Sequence, residues 1–290
     1  MNKKKFVAAT VATSLVLAAL TLMRSDPPSA GSTTASTSNT TTAPNRLTVG
    51  ARERWRIPLD YQVVGLPAAD SRGVVVAAGE AEVVAVAPTG ATQWRAPLAG
   101  ALYRAPRLAG DAVLVAGRRS ITALGRNDGT TLWSFATASD GEPDDLMNRP
   151  VVDGEVVVIT TASGRVRGLD RRTGTLRWET LLPTASTAEP AAINGVVVVV
   201  GIGVWTGLDV ATGAVRWSGD IGIIGTSSPV AYRVGDRALV ALATDEHLLA
   251  VDAASGGVVW TAAAEQSQFF QVPAFSEDAE LLVPDHWGRV

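Results

Sequence analysis

Side chains that could carry chemistry are sparse in this chain, and none falls into a catalytic pattern. The two histidines, His247 and His286, lie far apart and lack a second ligand at metal-binding spacing, so they read as structural or solvent-facing imidazoles. The acidic run DGEPDD at residues 140–145 offers carboxylates to a calcium ion, but its spacing follows no calcium-loop pattern and it reads as a solvated loop. The stretch GIGVWTG at residues 201–207 imitates a dinucleotide fingerprint. Its third glycine is misplaced and no helical pattern follows, so it reads as a turn between strands. Cysteine is absent, which excludes a thiol nucleophile, a zinc–thiolate site, a disulfide framework and a lipid-carrying cysteine. No serine sits in a nucleophile elbow. The sequence therefore predicts no catalytic residue, no metal site and no cofactor, which leaves recognition as the chemistry available.

The framework that would position recognition groups shows itself as a repeat. The chain reads DRRTGTLRW at residues 170–178, DVATGAVRW at 209–217 and DAASGGVVW at 252–260. Trp55, Trp94, Trp133, Trp178, Trp217 and Trp260 are separated by 39, 39, 45, 39 and 43 residues. Pro67, Pro106, Pro150, Pro190, Pro229 and Pro273 keep the same beat, at 39, 44, 40, 39 and 44. Two residue types in one period define the unit before any local motif is considered.

Each unit reads as four short strands: a brief strand after the proline, a β-branched run such as VVVVVG at 196–201, a third strand such as HLLAVD at 247–252, and the strand carrying tryptophan. Asp170, Asp209 and Asp252 open the last turn of the unit, where a carboxylate can accept from amides two residues on. Gly174, Gly213 and Gly256 supply the left-handed residue of that turn. The tryptophan four residues later is placed to fill the wedge between neighbouring sheets, burying on the order of 150–250 Å². A four-stranded unit of about 40–45 residues is the signature of a propeller blade. The fold class is therefore all-β, a propeller of about six blades, with the last blade incomplete or closed by the N-terminal strand that carries Trp55.

These residues resemble the quinoprotein-type, or PQQ-like, repeat found in PQQ-dependent alcohol dehydrogenases and in BamB-like assembly lipoproteins. The resemblance is carried by Asp170, Thr173, Gly174 and Trp178; by Asp209, Thr212, Gly213 and Trp217; and by Asp252, Gly256 and Trp260, with weaker copies at Thr89, Gly90 and Trp94 and at Asp128, Gly129 and Trp133. It implies a propeller over residues 47–290, and either a scaffold role at the cell envelope or a quinone enzyme. The enzymes hold their cofactor with an adjacent-cysteine disulfide, calcium ligands and a catalytic aspartate, and none of those residues can be carried over to this chain.

Residues 1–24 read as a signal anchor or signal peptide: Lys3, Lys4 and Lys5 precede an apolar run of 18 residues, at 6–23, which Arg24 closes. A spanning helix needs about 20 apolar residues and a signal-peptide core roughly 7–15. The lysines place the N-terminus in the cytoplasm and the body outside it. Residues 25–46 are rich in serine and threonine and read as a flexible linker. The formal net charge is −3, and beyond the N-terminal basic residues acids outnumber arginines, which excludes nucleic acid as a partner. The resulting expectation is a non-catalytic, membrane-anchored extracytoplasmic propeller that binds a partner protein, with a secreted form as the alternative localisation. A quinone dehydrogenase-like enzyme and a small-ligand sensor ectodomain are the alternative functions. The variable loops joining one unit to the next are the candidate binding face, with Tyr103, Arg104, Arg149, Phe269 and Phe270 as its anchors and Met147 beside them.

Overall fold

The computed structural model describes residues 6–8, 55–59, 62–78, 82–98, 104–138, 141–186, 188–220, 227–244, 247–263, 274–275 and 281–282. Within them every regular element is a β-strand. Five antiparallel sheets of four strands follow one another along the chain, each in simple up-and-down order. Their first, innermost strands are Ala68–Asp70, Arg107–Ala109, Val151–Asp153, Ala191–Ile193 and Val230–Val234. Their last, outermost strands are Thr92–Pro97, Thr131–Ala136, Leu176–Leu181, Val215–Asp220 and Val258–Ala263. This is the blade architecture of a β-propeller. Where a sixth unit would lie, Ala274–Phe275 pairs with Leu281–Leu282.

The second strands are largely apolar because both faces are covered. In Val156–Thr160 every residue is buried. Val157 and Ile159 join a cluster with Leu114, Ile121 and Trp133 of the sheet before, while Val156 and Val158 join Val197, Val199 and Leu208 of the sheet after. Alternate side chains thus serve two different cores, so the hydrophobic run never breaks into the alternation of a one-sided sheet. The core of the molecule is a series of such wedges between neighbours.

The tryptophans hold those wedges shut. Each indole lies over a small residue of its own sheet: the cross-strand partners of Trp94, Trp133, Trp178, Trp217 and Trp260 are Ala85, Ala123, Gly168, Gly207 and Ala250. The ring then projects onto the last turn of the following sheet. A Cβ added to Gly90, Gly129, Gly174 or Gly256 would stand 2.5–2.6 Å from the ring of Trp55, Trp94, Trp133 or Trp217, and Gly213 lies under Trp178 in the same way. The indole N–H of Trp94, Trp133, Trp178 and Trp217 donates to the carbonyl oxygens of Arg126, Arg171, Val210 and Ala253 at 3.0, 3.0, 2.8 and 2.9 Å. Just before each tryptophan the ladder skips one residue, namely Gln93, Leu132, Arg177, Arg216 and Val259. This bulge re-aims the ring off the strand and towards the neighbour. Trp260 departs from the pattern, donating instead to Tyr232 Oη of its own sheet at 3.1 Å.

At the N-terminal side, Trp55, Ile57, Leu59 and Val63 cover Val74, Val76, Val84 and Val86 of the first sheet. The segment thus packs where a ring-closing strand would. Arg56–Pro58 pairs with Phe6–Ala8, and the third strand of the last unit, the partner expected for ring closure, lies outside the described residues. Apart from Phe6–Ala8, the expected signal or anchor at residues 1–24 and the linker at 25–46 lie outside the described residues. Among the described residues no helix is long and apolar enough to cross a membrane.

Losing one such indole to alanine costs about 3–5 kcal/mol, a large share of the roughly 5–15 kcal/mol that holds a domain folded. The glycine beneath the ring should be nearly as sensitive. Gly174 has φ of +71°, and Gly174→Ala should destabilise well beyond the about 1–2 kcal/mol that a left-handed backbone costs an alanine. Gly154→Ala is also left-handed, at φ of +57°, but the new methyl meets nothing within 4 Å, so its loss should stop at the backbone value. Urea unfolding of the two variants measures the difference, and equal losses would remove the indole from the explanation.

Candidate binding face

Up-and-down order sends the two kinds of connection to opposite faces. Hairpins joining first to second and third to fourth strands share one face, and the hairpins between second and third strands share the other with the linkers from sheet to sheet. On the first face, Asp170 Oδ1 accepts the amides of Arg172 and Thr173 at 2.9 Å each and the Thr173 hydroxyl at 3.0 Å. Asp209 repeats this with Ala211 and Thr212, and Asp252 with Ala254 and Ser255. The bulged arginines reach back to the free oxygen: Arg177 and Arg216 each place Nη2 2.5 Å from Oδ2 of Asp170 and Asp209. The Arg177 guanidinium holds the Asp170 carboxyl well below the usual aspartate range, Arg216 lowers Asp209, and the Ser255 amide lowers Asp252. Neighbouring hairpins are tied together here. Arg72 donates to Asp111 Oδ1 at 2.9 Å and to the Gly110 carbonyl at 2.7 Å, and Asp153 Oδ2 accepts the Gly195 amide at 2.7 Å. Arg126, only 1% exposed, crosses back to Asp70 Oδ1 at 2.7 Å. The carboxylates and arginines of these turns are largely directed at one another.

Because the three repeat carboxylates are held below 3.8, the ordinary aspartate value, the folded chain binds fewer protons than the unfolded one in that range. Their contribution is present above that value and is withdrawn as pH falls through it. The urea midpoint should drop between about pH 5 and pH 2, and more steeply for the native chain than for one carrying Asp170→Asn, Asp209→Asn and Asp252→Asn.

The linker face carries the candidate anchors. Arg104 is exposed and donates from Nη2 to the Met147 carbonyl at 2.5 Å, joining the entries to the second and third sheets. Arg149, half-buried, pairs through Nη2 with Glu189 Oε2 at 3.0 Å, and the Glu189 amide donates to Ser228 Oγ at 3.1 Å. Consecutive sheet entries are thereby linked in series. Tyr103, Phe269 and Phe270 lie outside the described residues, as does His286. His247 is exposed at the start of a third strand, and the stretch 201–207 forms the turn and third strand of the fourth sheet, with the Gly201 amide donating to the Val204 carbonyl at 2.8 Å.

The acidic loop is ordered by arginines. Asp145 takes Arg118 Nε at 2.7 Å and Arg119 Nε at 2.8 Å, and the hydrogen bond from Arg119 is the main cause of its lowered pKa. Asp144 is 4% exposed; its carboxylate accepts the Ser163 amide at 3.1 Å and hydroxyl at 2.9 Å and faces Arg167 Nη1 at 3.6 Å. Arg167, 3% exposed, also donates to Glu179 Oε2 at 2.5 Å and to the Thr137 carbonyl at 2.9 Å. Asp144→Ala strips these buried donors of a partner and should cost about 3 kcal/mol. Asp145→Ala should change stability little, because its two arginines remain solvated. Thermal unfolding of the pair checks the contrast.

One charged residue of this face escaped the sequence reading. Arg107 opens the innermost strand of the second sheet. The equivalent residues after the prolines of the other sheets are Ala68, Val151, Ala191 and Val230, so aligned repeats mark the exception. Burial pushes the Arg107 guanidinium down from its ordinary value, nearby Arg149 pushes it further, and Glu189 opposes them. It stays charged, as arginine does in proteins.

Up-and-down four-stranded blades, locked sheet to sheet by an indole over a turn glycine, define a quinoprotein-type propeller. The profile of the family described as the outer membrane protein assembly factor BamB matches residues 48–207 and 201–286. The chain belongs to that family. No curated protein matches it in sequence. Among solved structures it is similar to BamB from Moraxella catarrhalis, with a TM-score of 0.61 and 20% identity over 83% of this chain and 78% of that one. It is also similar to the quinohemoprotein alcohol dehydrogenase ADHIIG from Pseudomonas putida HK5, with a TM-score of 0.56 and 14% identity over 73% of this chain and 43% of that one. A computationally designed protein, Ika8, gives 0.62 and 16% over 78% and 73%. At these identities the likeness is one of fold. Among the described residues no group of three or more His, Cys, Asp or Glu side chains is placed to hold a metal ion. The acids of the linker face named above, Asp144, Asp145 and Glu189, each face arginine. That donor set does not fit a calcium-held quinone.

Proposed function

We propose that this chain is a non-catalytic propeller, anchored in a membrane by its N-terminal apolar segment and exposed outside the cytoplasm, that serves as a protein-interaction scaffold at the cell envelope. Membership in the family of an assembly factor supports the scaffold role. The observation that carries it is the contrast between the two faces. On one, the repeat carboxylates are paired with arginines of their own turns, while the other presents arginines at the entries of successive sheets. Arginine on a rigid, loop-bearing face is a common interface anchor. Lys3, Lys4 and Lys5 ahead of the apolar run support export and anchoring.

A photo-crosslinking residue placed at Arg104 in living cells should give a discrete protein adduct in the membrane fraction, and one at Arg172 on the opposite face should give none. Equal labelling from both positions, or none from Arg104, overturns the assignment. The dehydrogenase likeness supplies the rival reading. Incubation with PQQ and calcium should produce neither quinone absorbance in the protein peak nor alcohol oxidation, and either signal would make the chain an enzyme.

A further inference from the structure

Among the described residues every tryptophan but one donates its indole N–H to a carbonyl or hydroxyl oxygen. The exception is Trp205, in the third strand of the fourth sheet, which is only 4% exposed and has no such partner. A buried indole N–H ordinarily finds an acceptor, and leaving it without one is costly. The ring itself is accounted for: it fills the wedge towards the fifth sheet with Val240, Leu242 and Val251, and meets Trp217 edge-on with centroids 5.7 Å apart. The N–H is not accounted for. A Cβ added to the cross-strand residue, Gly219, would stand 2.2 Å from Nε1, so the missing side chain is what leaves the nitrogen uncovered. That nitrogen is not one of the fully enclosed atoms without partners, so it keeps an opening to solvent. Gly219 also lines a recess of about 490 Å³ together with Ile202, Gly203, Val204, Ser218 and Asp220.

Three departures from the repeat meet at this corner. Where the other sheets pair Val83 with Ala96, Ile121 with Phe135, Val166 with Thr180 and Leu248 with Ala262, the fourth pairs Trp205 with Gly219. Where the second and third sheets turn through Arg118 and Arg119 or through Ala162 and Ser163, the fourth turns through Ile202 between two glycines. Ile202 is 61% exposed. The stretch GIGVWTG is the sequence trace of this corner.

We propose that the linker-face end of the fourth sheet docks an extended apolar segment of a partner protein, with a backbone carbonyl accepting from Trp205 Nε1 and an aliphatic side chain covering Ile202. An indole N–H only donates, so its complement in charge is the partly negative oxygen of a carbonyl. Asp220 in the wall disfavours a guest that carries a full negative charge. An exposed aliphatic side chain gains by being covered, and the carbonyl and side chain of one guest residue meet both needs. The lining residues belong to two adjacent strands and the turn ahead of them, so the recess is walled by one sheet. Small molecules favour enclosure on several sides, whereas a one-sided wall suits a chain laid along it. Gly203 and Gly219 present backbone there, and a Cβ on Gly203 would meet nothing within 4 Å, which lets a guest main chain lie close. That the guest belongs to a partner protein rests on the scaffold reading; that the N–H is open to an acceptor does not.

The test uses the full chain labelled with ¹⁵N-tryptophan, the Trp205 indole resonance being the one lost in Trp205→Phe. In deuterium oxide that resonance should vanish sooner than those of Trp94, Trp133, Trp178 and Trp217, whose N–H groups are held by carbonyls. Slow exchange of Trp205 in the free chain would mean that the chain covers its own N–H, and overturns the site. The probe is the capped tetrapeptide acetyl-Gly-Leu-Ile-Gly-amide, with capped tetraglycine as the control that has carbonyls without aliphatic side chains. The probe should shift the Trp205 resonance and slow its exchange, and tetraglycine should do neither. Anisotropy of the labelled probe gives the affinity. Ile202→Ser should weaken binding about tenfold, the scale of leaving one aliphatic side chain uncovered, without lowering the melting temperature. Leu176→Ser, an exposed leucine at the other end of the third sheet, should leave binding unchanged. No response of Trp205 to the probe, or equal loss in Ile202→Ser and Leu176→Ser, overturns the site. Displacement of the probe by an equal concentration of acetyl-leucine amide would assign the recess to a free small amide and overturn the protein segment. Failure of crosslinking from Arg104 with the tetrapeptide still bound would instead remove the scaffold and leave the recess.

Discussion

One contact is repeated from sheet to sheet and everything else is arranged around it: an indole on the last strand of one sheet resting on the turn glycine of the next, its N–H on a carbonyl of that turn. Two small residues make this possible. An alanine or glycine across the ladder lets the ring lie flat on its own sheet, and a glycine beneath it lets the neighbouring backbone approach. Packing contacts are individually weak and depend steeply on distance, so a backbone held half an ångström away would forfeit much of the attraction. Each contact joins nearest neighbours only, which makes the stability of the assembly close to a sum over adjacent pairs.

With the sheets fixed in this way, the connections are free to diverge, and the two faces have diverged in opposite directions. Where the repeat acids sit, carboxylates hold their own turns and arginines tie hairpin to hairpin. Where the linkers run, arginines are bound to neighbouring backbone or to single acids. The acidic loop that reads as solvated is in fact gathered onto Arg118, Arg119 and Arg167, with Asp144 nearly inaccessible.

The legible part of this architecture is its local part. Acid, turn glycine and tryptophan lie within nine residues, and their recurrence betrays the blade because the same contact must be remade at every wedge. The small residue opposite each tryptophan was equally present in the sequence, but its meaning depends on register, which the bulge shifts by one. Long-range electrostatics were not legible. Arg126 looks like a turn residue until it is found buried on Asp70, 56 positions earlier. Arg149 and Glu189 meet across 40. Arg107 stood out only as an exception to an apolar position, and the charges that act on it, Arg149 and Glu189, are distant in sequence.

The skipped residue before each tryptophan has a bearing on the circumference of the molecule. An outermost strand offers unpaired amides and carbonyls, and such an edge invites a foreign strand to add on. Here each of the five edges is kinked at its second or third position. A straight guest would find its hydrogen-bonding groups out of phase after two residues. The perimeter is thereby guarded against self-templated growth, and visitors are left to approach end-on.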